Sequence, residues 1–186
     1  MKIRISLLFS ILLLYITMPV FSRQYPGIIN KLVSFGHKHT EKRKIDVIII
    51  HSVYNASGGD IYDVDLIINQ FAKYKVTPHF LIDREGVIYQ MVKEKDIAYH
   101  AGVSRLPDGS TGINSRSIGI EIITSFDEAP SALQMDASVK LVKYLKEKYQ
   151  VKYVLRHSDI APGRKTDPWN MNWEEFVRRV NNKKDE

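Results

Sequence analysis

Cysteine is absent from all 186 residues, and that absence removes disulfides, thiolate metal ligands, cysteine nucleophiles and a thiol for lipid attachment. A bound metal would have to be held by nitrogen and oxygen alone. An uninterrupted membrane-spanning run is also missing. The apolar stretch Ile5–Ile16 is broken by Ser6, Ser10 and Tyr15 and followed by Thr17 and Pro19, short of the ~20 apolar residues a bilayer requires. Lys2 and Arg4 stand ahead of it, and Val20 and Ser22 behind it suit a peptidase. The stretch therefore reads as a secretory signal, residues 1–22, cleaved after Ser22 and leaving no stable membrane span. The competing reading is an uncleaved anchor. No internal repeat and no low-complexity tract is present.

What remains has 44% hydrophobic residues, enough for one core and too short a chain for two ordinary domains. The net charge of +6 falls to +4 once Lys2 and Arg4 are removed. That excess suits an acidic polymer such as cell wall, nucleic acid or simple solubility equally well. Residues 23–44 hold Pro26, Gly27 and Gly36 and the basic residues Lys38, Lys42, Arg43 and Lys44 without a sustained period. They read as a basic leader with room for a short helix, more a solvated connector than part of the domain.

The domain is expected over 45–180, with 181–186 a charged tail. Val47–Ile50 is a β-branched apolar run, the pattern of a strand covered on both faces, and it ends at His51. Ile61, Val64, Ile67, Ile68 and Phe71 recur at helical spacing up to Tyr74. Phe80–Ile82 and Val87–Tyr89 flank a glycine-containing turn, and Ser117–Ile123 is a further strand. Pro130 and Ser131 open a long helix, Tyr153–Leu155 is a strand ending at His157, and Asn172 with Glu175 starts a last helix in a capping-box-like arrangement. Strands interleaved with helices predict a single α/β domain, a central mixed sheet flanked by helices.

His51 and His157 each end a buried strand, where loops build sites. Ten residues after His157, Asp167 lies in a loop containing Pro162 and Gly163 that can fold back. Two imidazoles and one carboxylate give zinc three protein ligands and leave a fourth position for an activated water, a catalytic and not a structural pattern. Taken singly, each histidine is more often a satisfied core or rim residue; the pair changes that weighing. Glu121 is a charge inside the apolar strand Ile118–Ile123. It is either a carboxylate facing solvent or a surface base, or a desolvated carboxylate with raised pKa, fit to act as a general base. Lys165 is either a solvated loop lysine or a cation poised for an oxyanion.

The segments Ala98–Val103, Ser117–Glu121 and His157–Pro168 resemble the zinc-dependent type-2 N-acetylmuramoyl-L-alanine amidases, a family that includes phage amidase lysozymes and is related to peptidoglycan recognition proteins. The likeness runs from about Ile45 to Phe176. It implies an amidase or peptidoglycan-recognition-protein-like fold and cleavage of the bond between N-acetylmuramic acid and L-alanine in peptidoglycan or muropeptides. It implies one zinc ion per chain on His51, His157 and Asp167, Glu121 as general base acting on a zinc-bound water, and Lys165 as oxyanion stabiliser. His79 falls where the family often has a histidine that is not a ligand, which implies a structural or supporting role. His100 is expected to line the substrate groove or to pack its loop, and Trp169 to wall the cleft or join the core. Ser52, Lys75 and Asn114 complete the expected substrate contacts. Cytoplasmic recycling members that prefer anhydro-muropeptides carry arginine near the positions of Lys75 and Gly112 and asparagine where this chain has Ser52. These departures put anhydro-sugar selectivity in question. The expected product is thus an exported enzyme, periplasmic or secreted, acting as a monomer and without a nucleic-acid partner. Two rivals stand beside it: a non-catalytic peptidoglycan-binding recognition module, and a zinc hydrolase for another amide.

Overall fold

The computed structural model describes residues 27–182; the expected signal segment, the first residues of the leader and the end of the charged tail lie outside them. A six-stranded mixed sheet organises the chain, built from β1 (Ile28–Asn30), β5 (Ile88–Gln90), β4 (Phe80–Ile82), β7 (Ser117–Ile123), β3 (Val47–Val53) and β8 (Tyr153–Arg156) in that spatial order. β3 runs parallel to both β7 and β8, β4 parallel to β7, and β4 antiparallel to β5. β3 is buried at all seven positions, as a β-branched run with helices or loops over both faces must be. One face packs Ile48, Ile50, Ile118, Ile120 and Ile122 against α2 (Ala132–Lys148) and α4 (Trp173–Asn181). The other packs Val53, Leu81 and Ile123 with Ile67 and Phe71 of α1 (Val64–Tyr74), and Val47 and Ile49 with Ala101, Leu106 and Ile113 of the long loop.

The predicted elements are present, with shifts at their ends that have local causes. β3 continues through His51 to Val53 instead of stopping at the histidine, because Thr124 N–H donates to Val53 O at the strand's end. α1 starts at Val64 and not at Ile61, since the Asp63 carboxylate accepts from Leu66 N at 2.8 Å and caps the helix there. Ile61 is left 40% exposed. Ser131 and Gln134 form a reciprocal capping box at α2. At α4 the box is half made: Asn172 accepts from Glu175 N, but the Glu175 carboxylate pairs with Arg178. His157 begins a four-residue helix, α3 (His157–Ile160), at the end of β8. In the β4–β5 turn, Asp83 accepts from Glu85 N and Val87 N. Gly86 takes φ 78°, where a Cβ would stand 2.7 Å from Leu133 O, so only glycine fits.

The leader differs most from its reading. It contains no helix among its described residues; it docks through two strands. β1 pairs with β5, and β2 (His37–Lys38) pairs antiparallel with β6 (Ile97–Ala98) in a second, two-stranded sheet. His39 binds the buried carboxylate of Asp96 at 2.8 Å. Arg43, read as part of a solvated basic run, instead turns inward and donates to the carbonyls of Asp96, Asn114 and Ser117. Burial pushes its guanidinium down to about 10. Such contacts span 53 to 74 residues, so nothing local announces them. The leader is therefore a tie across the loops that lead to β7. Replacing Arg43 by Met should strand those carbonyls and cost about 2–3 kcal/mol; urea unfolding at constant m-value measures it, and a loss below about 0.5 kcal/mol would show the tie to be idle.

Candidate active site

The parallel register of β3 and β7 sets His51 directly opposite Glu121. Both belong to the face that carries α1 and the long loop, at the carboxyl end of the strands. β8 delivers His157 to the same end. The loop after α3 then returns Asp167, held by a bond from Ser158 N to Asp167 O at 2.9 Å. Three ligand-type atoms converge as a result. His51 Nδ1 lies 2.9 Å from His157 Nδ1, His157 Nδ1 lies 3.0 Å from Asp167 Oδ2, and His51 Nδ1 lies 3.6 Å from Asp167 Oδ2. All three residues are buried.

This donor set fits a metal ion. His157 Nε2 lies 3.3 Å from Ala101 O, and a carbonyl only accepts, so Nε2 carries a proton and Nδ1 is the nitrogen able to offer a lone pair. A bare nitrogen facing a carboxylate oxygen and a second imidazole nitrogen calls for a cation between them. Two nitrogens and one oxygen with a fourth position open is the donor pattern of a catalytic zinc site. Burial pushes the His51 imidazole down to about 4, against the opposing pull of Asp167, so no proton competes for it at neutral pH.

Beside the cluster, Glu121 Oε2 is buried and has no hydrogen-bond partner among the described residues. Burial, and next the Asp167 charge, raise this carboxyl well above its ordinary range, with Lys165 opposing. A buried carboxylate oxygen without a partner requires an explanation, and readiness to take a proton is one. Lys165 is exposed on the loop between His157 and Asp167, and its charge is felt at both Glu121 and His51.

The other expected contact residues separate by what their polar atoms already do. The Asn114 side-chain oxygen accepts from His100 N at 3.1 Å and Ala101 N at 2.9 Å, so it holds the loop. Ser52 Oγ accepts from Trp169 N at 3.2 Å and joins β3 to the Asp167 loop. Trp169 stacks on the half-exposed Phe126 at 4.1 Å between ring centres, with Tyr54 at 5.8 Å. Lys75 is exposed where α1 ends in the left-handed conformation, φ 53°. His79 is buried and satisfied on both nitrogens, with Nε2 on Asp96 O and Nδ1 accepting from Gly119 N; burial holds it down at about 3.

Several contributors carried no local signal. The Ala101 carbonyl meets His157, and Arg164 donates to Ala101 O and Val103 O. Gly119 did carry one, as a glycine inside an apolar strand marks a close approach.

Fold and cluster together describe one α/β domain whose buried two-histidine, one-carboxylate cluster could hold a metal ion, and comparison with known proteins gives the family. The family model described as N-acetylmuramoyl-L-alanine amidase matches residues 41–170, and the chain belongs to that family. It is 30% identical over 158 residues to N-acetylmuramoyl-L-alanine amidase AmiD of Escherichia coli, covering 73% of this chain and 53% of AmiD. It is 34% identical over 110 residues to 1,6-anhydro-N-acetylmuramyl-L-alanine amidase AmpD of Haemophilus influenzae, covering 57% and 59%. The chain thus spans little more than half the length of these curated relatives. In three dimensions it superposes on a selenomethionine derivative of AmpD with TM-score 0.70 at 25% identity, covering 82% of this chain and 94% of that one. On AmiD of E. coli, solved with the substrate anhydro-N-acetylmuramic acid-L-Ala-D-γ-Glu-L-Lys, the TM-score is 0.61 at 27% identity, covering 76% and 60%.

The state of Glu121 has a measurable consequence. Its fold favours the protonated form, so the metal-free protein is most stable, relative to a Glu121→Gln variant, below the ordinary carboxyl value of 4.5 and loses that ground as pH rises. The variant should melt above the parent at pH 8 and with it at pH 4; equal melting at both would place the carboxylate in solvent.

Proposed function

We propose that this protein hydrolyses the amide between the lactyl group of N-acetylmuramic acid and L-alanine, in peptidoglycan or soluble muropeptides. The observation that carries the reading is the convergence of His51 Nδ1, His157 Nδ1 and Asp167 Oδ2 beside the orphaned Glu121 carboxylate, in a chain of the amidase family. The amidase solved with a muramyl peptide supports the substrate class.

His51, His157 and Asp167 would hold one zinc ion per chain, which when bound supplies Lewis acidity toward the amide carbonyl and lowers the pKa of water toward about 7. Glu121 takes a proton from the attacking water, a step its raised pKa favours by making it a stronger base, and the same proton then passes to the leaving alanine nitrogen. Lys165 reaches from the loop toward the oxyanion that forms on the carbonyl oxygen. Water oxygen ends on the lactyl carbon and the C–N bond breaks. The products are a glycan carboxylate and a stem peptide with a free alanine amine. Trp169 with Phe126 forms the apolar wall of the cleft, His100 closes its floor, and Lys75 is the exposed cation available to a stem-peptide carboxylate. Export through residues 1–22, with the rest of the chain acting as a monomer at the wall, completes the proposal.

The purified chain is incubated with muropeptides and the products are read by mass. Intact stem peptides beginning with free L-alanine should appear, vanish with a chelator and return with zinc. Shortened stem peptides would make it a peptidase; zinc-dependent binding without cleavage would make it a recognition module. Glu121→Ala should lose about 10²–10⁴-fold in turnover and Lys165→Ala about 10²–10³-fold, each with one zinc retained. Wild-type turnover in either variant removes that residue from the mechanism.

A further inference from the structure

The two candidate histidine ligands are not oriented alike. The His157 proton is placed by a backbone carbonyl, Ala101 O, which fixes its tautomer directly. His51 Nε2 instead meets another imidazole, His100 Nδ1, at 2.9 Å, and two ring nitrogens leave the direction of donation open. The answer lies one residue further out. Ser117 Oγ lies 2.8 Å from Ile113 O, and because a carbonyl only accepts, the single hydroxyl proton is spent there. Ser117 Oγ also lies 3.0 Å from His100 Nε2 and so can only accept from it. The His100 proton is therefore on Nε2. Among the described residues no carboxylate is hydrogen-bonded to that ring, so the ring is neutral and its Nδ1 is bare. It must accept from His51 Nε2–H, which leaves the lone pair of His51 on Nδ1, facing Asp167 and His157.

The ring that transmits this order cannot turn away. It lies against Gly119, where an added Cβ would stand 2.4 Å from His100 Cγ. The Gly119 backbone is itself fixed by donation to His79 Nδ1 at 3.1 Å. His100 N and Ala101 N are both held by the Asn114 side chain.

We propose that His100, anchored by Ser117 to the carbonyl of Ile113, is a positioning residue that holds His51 as the Nε2–H tautomer and so presents its Nδ1 to the metal. The proposal rests on the metal reading above and adds to it a role for His100 and Ser117, which lie outside the ligand set. Outer partners of ligating imidazoles are generally worth about 10–100-fold in metal affinity.

The test measures zinc affinity of the full chain by competition with a chromogenic chelator, and the histidine tautomers of the metal-free protein by long-range proton–nitrogen NMR. The metal-free parent should show His51 and His100 both protonated on Nε2. His100→Phe keeps a ring on Gly119 without an acceptor, and Ser117→Ala removes the anchor; each should weaken zinc binding about 10–100-fold. His100→Asn, whose side-chain oxygen can stand where Nδ1 stood, should recover most of that loss. A role limited to packing would lower the melting temperature of all three variants and leave zinc affinity at the parental value. His51 protonated on Nδ1 in the parent, or parental affinity in Ser117→Ala, overturns the proposal even if His100→Phe does not fold. A parent that binds no zinc overturns the metal reading itself. A parent that binds zinc and shows the variant losses but leaves the muramyl amide intact overturns only the amidase.

Discussion

The seven-residue parallel pairing of β3 with β7 is the constraint on which the rest of the structure depends. It runs from Val47 opposite Ser117 to Val53 opposite Ile123, in the middle of the sheet with both faces covered. Side chains alternate with a period of two, so this one register decides which residues share a face. It puts Ile48, Ile50, Ile118, Ile120 and Ile122 under α2. By the same alternation it puts His51 beside Glu121 on the opposite face. A slip by one residue would send the imidazole into the isoleucine layer and an isoleucine into the cluster. The large apolar core therefore holds the polar site in place through the backbone.

That arrangement explains how so many polar groups tolerate burial on one face. His79 is bonded to backbone on both nitrogens, Asn114 accepts from two backbone N–H groups, and His100 lies between Ser117 and His51, while Nδ1 of His51 and of His157 converge on Asp167. Burial favours the neutral form of His51, His79 and His100, which avoids most of the cost of burying charge. Glu121 stands apart because one of its oxygens is left over.

The sequence made the central strands and the three long helices legible because each carries its own period or capping residue. β3 and β7 showed as β-branched runs, α2 as a helix behind Ser131, α4 as one behind Asn172. Glu121 and Asp167 stood out for a related reason, a charge in an apolar strand and a carboxylate in a turn following a strand-end histidine. The docking of the leader did not show, since β1 and β2 are three and two residues long and are held by partners such as Gln90, Asp96 and Ala98 that lie far along the chain. Ser52 and Asn114 were expected at the substrate, and their side-chain oxygens accept from Trp169 N and from His100 N and Ala101 N. Residue type reports what a side chain can bond; only the fold reports what it already has.

Gly119 gives the sheet a notch. A glycine within a central strand costs about 0.5–1 kcal/mol against alanine, and here the hollow is filled from outside by the imidazole of His100, nineteen residues earlier. Filled in this way, positions 100 and 119 share one volume. A larger residue at 119 becomes admissible only once the ring at 100 is gone, and losing the ring opens a void that a larger residue at 119 could then fill. Substitution at either site is thus conditional on the other.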